Sequence, residues 1–328
     1  MNWVKDKNQD GKLTVAITVL IAGLFVVLLP FYTVTPQSEP RTPNLLPGQS
    51  ATLLADGTLL LIGGEAVGGP LRTAAIWNPA TGRTTRLSGR LEHGRAWHTA
   101  TMLPDGTILI LGGLGANDQV VQVAELYDPS DQTFSVLSLT GLTPRVRHTA
   151  TLLTDGHVLV AGGVGPNGET LASAELWDSW DSLPTVQLPP MSRSRRGHTA
   201  TLLDSGNVLL QGGLDNDGDA LQDSELFDSS TQRFSSAIAN PKSQIQNPYL
   251  VATLPVSGSV DVPIGTVVSL RFSKPLKVET INANTITLSG PQGIEAVKVV
   301  PAEGGMLAFI TPEADLLPGA SPHYSWFL

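Results

Sequence analysis

Short apolar runs separated by turn residues recur through the middle of the chain at a fixed spacing. The runs 99–103 and 107–111 flank Pro104-Asp105-Gly106 and predict a β-hairpin, because Asp-Gly between two β-prone segments is a strong hairpin signal. A period of 49 or 50 residues separates the glycine pairs that close the hairpins, and such a period indicates stacked supersecondary units. The pairs are Gly63-Gly64, Gly112-Gly113, Gly162-Gly163 and Gly212-Gly213.

Two more strands complete each predicted unit. After a polar loop, residues 124–128 alternate between apolar and polar side chains, and Phe134 begins a further apolar segment. Residues 174–178 and 224–228 repeat the first of these segments. No comparable window has the 3.6-residue period of an amphipathic helix. We therefore predict that each unit is a four-stranded antiparallel meander.

These features resemble the kelch repeat of β-propellers across residues 48–240. The aliphatic strand closed by Gly-Gly, the later Glu-Leu-Tyr-Asp-Pro (125–129) and the aromatic residue at the fourth strand carry the resemblance. A WD40 repeat, suggested by Gly197-His198 and Trp177-Asp178, has a shorter period and leaves the glycine pair unexplained. The resemblance implies an all-β kelch-type propeller with four recognisable blades, in which the glycines allow close backbone packing. Kelch propellers generally close with more than four blades, so we expect the chain to be part of a longer protein. A compact four-bladed ring is the alternative for the repeats.

An uncharged apolar stretch occupies residues 13–32, directly after Lys5, Lys7 and Lys12. It is long enough to span a bilayer as one transmembrane helix, and the lysines place residues 1–12 in the cytoplasm and the repeats outside. A cleaved signal peptide is the alternative, although Pro36 disfavours cleavage nearby. Residues 33–47 contain four prolines and predict a stiff linker. We expect a single-pass protein of the bacterial cell envelope, or alternatively a secreted one.

The end of the chain has a different pattern. Residues 241–248 predict a polar linker, and residues 249–328 contain six short predicted strands that suit a small sandwich. Segments 255–263, 272–276 and 280–282 are similar to the bacterial Ig-like domain of S-layer and other envelope proteins. That family continues beyond the last strand. We therefore expect an incomplete Ig-like β-sandwich whose final strand, 323–328, has no partner.

Composition excludes several classes of function. The net charge of −9 argues against a nucleic-acid-binding surface. Cysteine is absent, which excludes disulfides, thiolate nucleophiles and the Tyr–Cys crosslink of a galactose-oxidase-like copper site. The chain also lacks G-x-S-x-G and H-E-x-x-H motifs. We expect no cofactor and no catalytic residue.

One arginine, one histidine and one glutamate recur at equivalent places in the second, third and fourth repeats. Three imidazoles at equivalent places could hold a metal ion. The first repeat argues for structure instead, because it has Gln49 in place of the histidine, Ala75 in place of the glutamate, and no arginine. Basic and acidic residues vanish together, as expected if they satisfy one another inside the fold. We therefore predict a structural role and no metal for Arg95, His98, Glu125, Arg145, His148, Glu175, Arg195, His198 and Glu225.

Candidate ligand-binding residues lie where the repeats differ, just before the shared histidine. Trp97 offers an indole, and Arg147 and Arg196 offer guanidinium groups, which suit stacking on a sugar or pairing with a carboxylate. We expect a membrane-tethered envelope protein that binds or displays an extracellular protein or glycan without catalysis. The alternative is a secreted carbohydrate-active enzyme of the cofactor-free sugar epimerase or mutarotase type.

Overall fold

The computed structural model describes residues 42–137, 141–179, 185–237, 248–255, 266–290, 293–314 and 323–326. Apart from Thr42, these residues belong to one compact unit, Pro43–Leu328. The predicted membrane segment 13–32 and nearly all of the linker 241–248 lie outside the described residues. Among the helices that the structure describes, none has the length and apolar character needed to cross a bilayer.

Each sequence repeat folds into its own four-stranded antiparallel sheet, as predicted, and none of the described sheets closes on itself. The first sheet has the order β1-β2-β5-β6 and carries a small hairpin, β3-β4, in its loop. The later sheets each follow chain order. The strands are β1 Ser50–Leu53, β2 Leu59–Ile62, β3 Glu65–Ala66, β4 Gly69–Pro70, β5 Thr73–Asn78, β6 Arg83–Arg90, β7 Thr99–Met102, β8 Ile108–Leu111, β9 Ala124–Asp128, β10 Thr133–Leu137, β11 Thr149–Leu152, β12 His157–Ala161, β13 Ala174–Asp178, β14 Val186–Gln187, β15 Thr199–Leu202, β16 Val208–Gln211, β17 Ser224–Asp228 and β18 Arg233–Ala237.

The first two strands of each repeat are joined by the turn that the Asp-Gly signal predicts. In the second repeat, the Asp105 carboxylate accepts hydrogen bonds from the backbone N–H of Thr107 at 2.9 Å and from its hydroxyl at 2.7 Å. Gly106 follows with a φ of +89°, a left-handed conformation that glycine adopts without strain. The turn chemistry therefore fixes the register in which Thr99 faces Leu111.

The four repeat sheets stack in chain order, and we call this stack the repeat array (residues 48–237). The first strands β1, β7, β11 and β15 lie side by side in that order. Apolar residues from β2, β8, β12 and β16 form one core through the whole array. Stacking is what buries these sheets, because a single repeat would leave both of its faces open to water.

The C-terminal part forms two further sheets that share a second apolar core, as expected for a sandwich. One sheet has the order β19-β20-β24-β23 and the other β22-β21-β25. Three short 3-10 turns, at Ala116–Asp118, Val278–Thr280 and Glu303–Gly305, complete the described helical elements. The strands are β19 Leu250–Leu254, β20 Val268–Phe272, β21 Ile286–Gly290, β22 Gly293–Glu295, β23 Val297–Ala302, β24 Leu307–Pro312 and β25 His323–Trp326.

The expectation that the last strand lacks a partner is wrong. Strand β25 pairs antiparallel with β21, and Trp326 lies opposite Ile286. No turn signal in the sequence indicates this pairing, because the partner β21 is distant along the chain. The short strand β22 was not predicted either.

The sandwich packs against the turn end of the repeat array. Lys298 donates a hydrogen bond to the backbone oxygen of Asp105, and Arg271 Nη1 lies 3.0 Å from the Thr154 hydroxyl. Val300, Leu307 and Phe309 belong to the same apolar cluster as the array core. Among the described residues, these contacts lie at the Asp-Gly turns, at the end of the array opposite the long polar loops.

Candidate functional site

The repeated arginines and glutamates form buried ion pairs. Arg145 Nη2 lies 2.9 Å from Glu175 Oε1, and both side chains are fully buried. The equivalent distance is 2.5 Å between Arg95 and Glu125 and 2.8 Å between Arg195 and Glu225. Burial lowers the pKa of Arg145, and the charge of Glu175 opposes that shift. Pairing offsets the desolvation of both charges.

Each arginine also joins the glycine pairs of two consecutive repeats. The Arg145 backbone oxygen accepts the N–H of Gly113 at 3.0 Å, while its Nη1 donates to the backbone oxygen of Gly162 at 2.9 Å. A Cβ on Gly112 would overlap the same Arg145 oxygen. The φ of Gly112 is +62°. Glycine is therefore required here both for backbone conformation and for the close approach of the next repeat.

The repeated histidines contact hydroxyl groups of the preceding repeat rather than the ion pairs. Nε2 of His98 lies 2.9 Å from the Ser50 hydroxyl, and Nε2 of His148 lies 3.0 Å from that of Thr99. Burial, together with the nearby Arg95 charge, lowers the pKa of His98 to about 3. The imidazoles are therefore neutral at physiological pH, and each joins its repeat to the preceding one through a hydrogen bond.

The first repeat shows how the fold replaces this set. Gln49 stands at the histidine position, and its amide nitrogen donates to the backbone oxygen of Gly63 at 3.1 Å. In the later repeats an arginine makes the equivalent bond, as Arg95 does to Gly112. Because Gln49 is neutral, no carboxylate is needed, and Ala75 fills the glutamate position.

These contacts use Nε2 of each repeated histidine, whereas Nδ1 of His98, His148 and His198 is buried without a hydrogen-bond partner in the part of the chain that the structure describes. Within the described residues, no three His, Asp or Glu side chains come together in a way that could hold a metal ion. The repeated set is thus internal to the array, and a ligand site has to be built from residues outside it.

The structure brings two of the three ligand-binding candidates together. The Arg147 guanidinium carbon lies 4.2 Å from the centre of the Trp97 ring, a cation–π contact. Both residues have positive φ values, 59° for Trp97 and 57° for Arg147, which are uncommon outside glycine. The Arg147 guanidinium, which the sequence predicts to bind a ligand, therefore packs on the Trp97 ring.

A backbone ladder explains these left-handed residues. The N–H of Trp97 donates to Gly48 at 2.8 Å, that of Arg147 to Trp97 at 3.0 Å, and that of Gly197 to Arg147 at 2.8 Å. The ladder runs across all four repeats and ends at the carbonyl of Gly197. It stabilises a conformation that costs a non-glycine residue about 1–2 kcal/mol.

Arg196, the third candidate, directly precedes the ladder residue Gly197, but its backbone pairs with Leu214 instead. Its Nη1 donates to the Thr170 hydroxyl at 3.2 Å, so the side chain bridges to the loop of the third repeat. The loop of its own repeat is closed by Asp215, whose Oδ1 accepts the N–H groups of Asp217 and Asp219. The Arg196 side chain therefore connects the loops of the third and fourth repeats.

A cavity of about 530 Å³ opens between the polar loops of the first and second repeats. Arg72, Glu92 and His93 line it on one side, and Gln119 and Gln122 on the other. Arg72 Nη2 lies 3.1 Å from Glu92 Oε2, and the His93 side chain is half exposed. Together with the apolar Pro70, Val120 and Val121, these charged and amide groups line a space of the size that small ligands occupy.

Sequence reasoning missed the residues of this cavity. The other repeats have different residue types at the positions of Arg72, Glu92 and His93, so the repeat pattern does not single them out. Glu92 and His93 are nevertheless held by the repeated set, because their N–H groups donate to the Glu125 carboxylate at 2.6 and 3.1 Å. A polar stretch directly before the shared Arg95 was the available signal.

Comparison with known families identifies the C-terminal part of the chain. A family model described as "Bacterial Ig-like domain" matches residues 244–322. The match covers the second part of the linker and most of the sandwich, and it agrees with the expectation from the sequence. Among curated proteins, none matches this chain.

Proposed function

We propose that this protein is a non-catalytic binding protein of a bacterial cell envelope, tethered by residues 13–32, that recognises a glycan with a kelch-type propeller. The Ig-like domain supports the location, since such domains are typical of cell-surface proteins. Four-stranded repeats closed by Gly-Gly support the kelch likeness. Display of a protein-binding surface is the variant of this function that the same scaffold allows.

The observation that carries the glycan assignment is the loop-end cavity. Arg72 supplies hydrogen-bond donors, Glu92 supplies acceptors and His93 supplies one of each, which matches the alternating hydroxyl groups of a sugar. The cavity lies between loops, where binding residues of repeat scaffolds are concentrated. The sandwich packs at the opposite end and does not obstruct it.

The alternative hypothesis, a sugar epimerase, requires an acid and a base that can exchange protons with a sugar. The repeated histidines do not suit this task, because they are buried and their pKa values are lowered. We therefore propose binding without turnover. Anomer exchange of any bound sugar, followed by NMR, distinguishes the two functions directly.

A glycan array probed with the full chain in mild detergent tests the proposal. We expect retention of a subset of glycans, and loss of that retention in Glu92→Ala and His93→Ala, which remove exposed side chains from the cavity. Glu65→Ala is the matched control, because Glu65 is exposed outside the cavity. Absence of any glycan signal, or equal loss in the control, would contradict the proposal.

A further inference from the structure

The contact between consecutive repeats occurs three times in the array with the same chemistry. Thr52 and Thr101 donate their hydroxyls to the backbone oxygens of Ala100 and Ala150 in the next repeat, at 2.9 and 3.2 Å. The glycine pairs and the left-handed ladder add backbone hydrogen bonds to the same junctions. A repeat therefore has one face built to receive the next repeat and one built to dock on the preceding repeat.

The fourth repeat presents its receiving face uncovered. Thr201 is exposed, whereas its equivalents Thr52, Thr101 and Thr151 are 9%, 6% and 3% exposed. Gly212 keeps the left-handed φ of +66°, although no atom of the described residues lies within 3.8 Å of the position of its missing Cβ. The conformation needed to accept a neighbour is thus present without the neighbour. We call Thr199, Thr201, Gln211 and Gly212 the trailing face.

The first repeat presents the complementary docking face uncovered. Leu53 is 36% exposed, although its equivalents Met102, Leu152 and Leu202 are 7%, 0% and 5% exposed against the preceding repeat. Leu46 is 39% exposed, and Ala51 is exposed as well. We call Leu46, Ala51 and Leu53 the leading face.

Backbone groups at the two faces are also complementary. Within the described residues, the N–H of Gly213 has no backbone acceptor, whereas Gly64, Gly113 and Gly163 each donate to the next repeat. At the other end of the array, the N–H of Gly48 has no backbone acceptor among the residues that the structure describes, and the ladder ends at the carbonyl of Gly197. Each face thus offers the group that the other needs.

We propose that the trailing face of one copy binds the leading face of a second copy, with the geometry of the internal repeat junctions. The Gly213 N–H then donates to Leu46, the Gly48 N–H donates to Gly197, and Leu53 is buried. Gln49 of the second copy replaces the usual histidine opposite the Thr199 hydroxyl. Such a head-to-tail contact is heterologous, so it forms a ring or a chain of copies.

Two substitutions within the repeats favour a second copy over a permanent cover. Gln211 stands on the trailing face where the other repeats have Ile62, Leu111 and Ala161. The leading face belongs to the one repeat that has no buried arginine and glutamate. Both faces can therefore be in contact with water without leaving a charge unpaired, as reversible association requires.

Self-association of the full chain in mild detergent tests the proposal by analytical ultracentrifugation. We expect mass to rise with concentration, and Leu53→Arg and Thr201→Arg each to weaken association more than about tenfold, because a buried unpaired charge is unfavourable. Val136→Arg is the control, since Val136 is 50% exposed on the outer strand β10, away from both faces.

A mixture of the two variants gives the sharpest result. Each variant keeps one intact face, so the mixture should form a one-to-one dimer and nothing larger. A misfolded variant could not form this dimer. Wild-type protein that stays monomeric at every concentration would overturn the proposal, as would association that both arginine substitutions leave unchanged.

Discussion

The Glu303 carboxylate lies 2.7 Å from the backbone nitrogen of Leu152 and accepts its hydrogen bond, although the two residues belong to the sandwich and to the third repeat. Burial raises the pKa of Glu303 to about 7, and the hydrogen bond from Leu152 opposes that shift. A group that titrates near neutrality therefore lies at the contact between the two parts of the fold.

Glu303→Gln should remove a pH dependence of stability. Folded Glu303 holds its proton up to about pH 7, whereas the unfolded side chain releases it near its ordinary pKa of 4.5. Stability from this group is therefore present in acid and lost as the pH rises from about 4.5 to about 7. The glutamine variant should be about 1–3 kcal/mol more stable at pH 8, after allowance for partial solvent screening.

Urea unfolding of wild type and Glu303→Gln across this pH range provides the measurement. The difference between the two proteins should be small at pH 4 and grow up to pH 7. A difference that is constant with pH would contradict the raised pKa. Glu313→Gln is a suitable control, because Glu313 is exposed.

His98→Gln should change how the free energy of unfolding depends on pH in acid. The pKa of folded His98 is lowered to about 3 from 6.5, chiefly by burial and then by Arg95. Below pH 6.5 the unfolded chain binds a proton that the folded protein does not, so stability falls as the pH drops towards 3. Glutamine, which the first repeat uses at this position, cannot bind that proton. The variant should lose less stability between pH 6.5 and pH 4 in urea unfolding.

His148→Ala tests the structural role of the imidazoles at constant pH. Removal of the ring leaves the Thr99 hydroxyl without its partner and should lower the free energy of unfolding by about 1–3 kcal/mol. Added zinc should leave the melting temperature of wild type unchanged. A zinc-dependent increase that this substitution abolishes would instead indicate a metal site.

Glu175→Ala should be more destabilising than the triple change Arg145→Leu/His148→Gln/Glu175→Ala. The single change leaves the Arg145 charge buried and unpaired, at a cost of about 3–5 kcal/mol. The triple change installs the neutral set that the first repeat already uses. Denaturant unfolding should place the triple variant closer to wild type. Additive losses would show that the three residues do not act as one unit.

Gly112→Ala and Gly212→Ala separate two requirements for glycine. Both positions have a left-handed backbone, which costs alanine about 1–2 kcal/mol. At Gly112 the new Cβ would also overlap the Arg145 carbonyl, whereas at Gly212 it would meet nothing closer than 3.8 Å. The Gly112 variant should therefore lose more than about 3 kcal/mol in all. Thermal unfolding of the pair under conditions that keep the protein monomeric gives the comparison.

The sequence predicts those parts of the fold that depend on local chemistry. Asp105 and Gly106 define their hairpin without any distant contact, and the first three strands of the repeats differ from the predicted ones by about one residue. The joint loss of arginine and glutamate in the first repeat also indicated their pairing. By contrast, the His98 contact with Ser50 joins two repeats, and no local pattern encodes it.

The candidate site was harder to predict for a related reason. Arg72 and His93 line the cavity because two loops of different repeats converge, and loops have no periodicity to read. Arg147 was predicted to be available to a ligand, but its distance from Trp97 depends on the stacking of whole repeats. Contacts between repeats therefore decide the surface chemistry.

The arginines that hold two glycine pairs at once also have a consequence for how the protein reaches its native state. A repeat that opened alone would expose the glycine N–H groups of the preceding repeat and would break its own buried ion pair, such as that of Arg145 with Glu175. Partly folded arrays are therefore unstable as folding intermediates. Hydrogen exchange should report a single cooperative opening for the second and third repeats, and a chain under synthesis should gain protection abruptly, once the repeats can pack on one another.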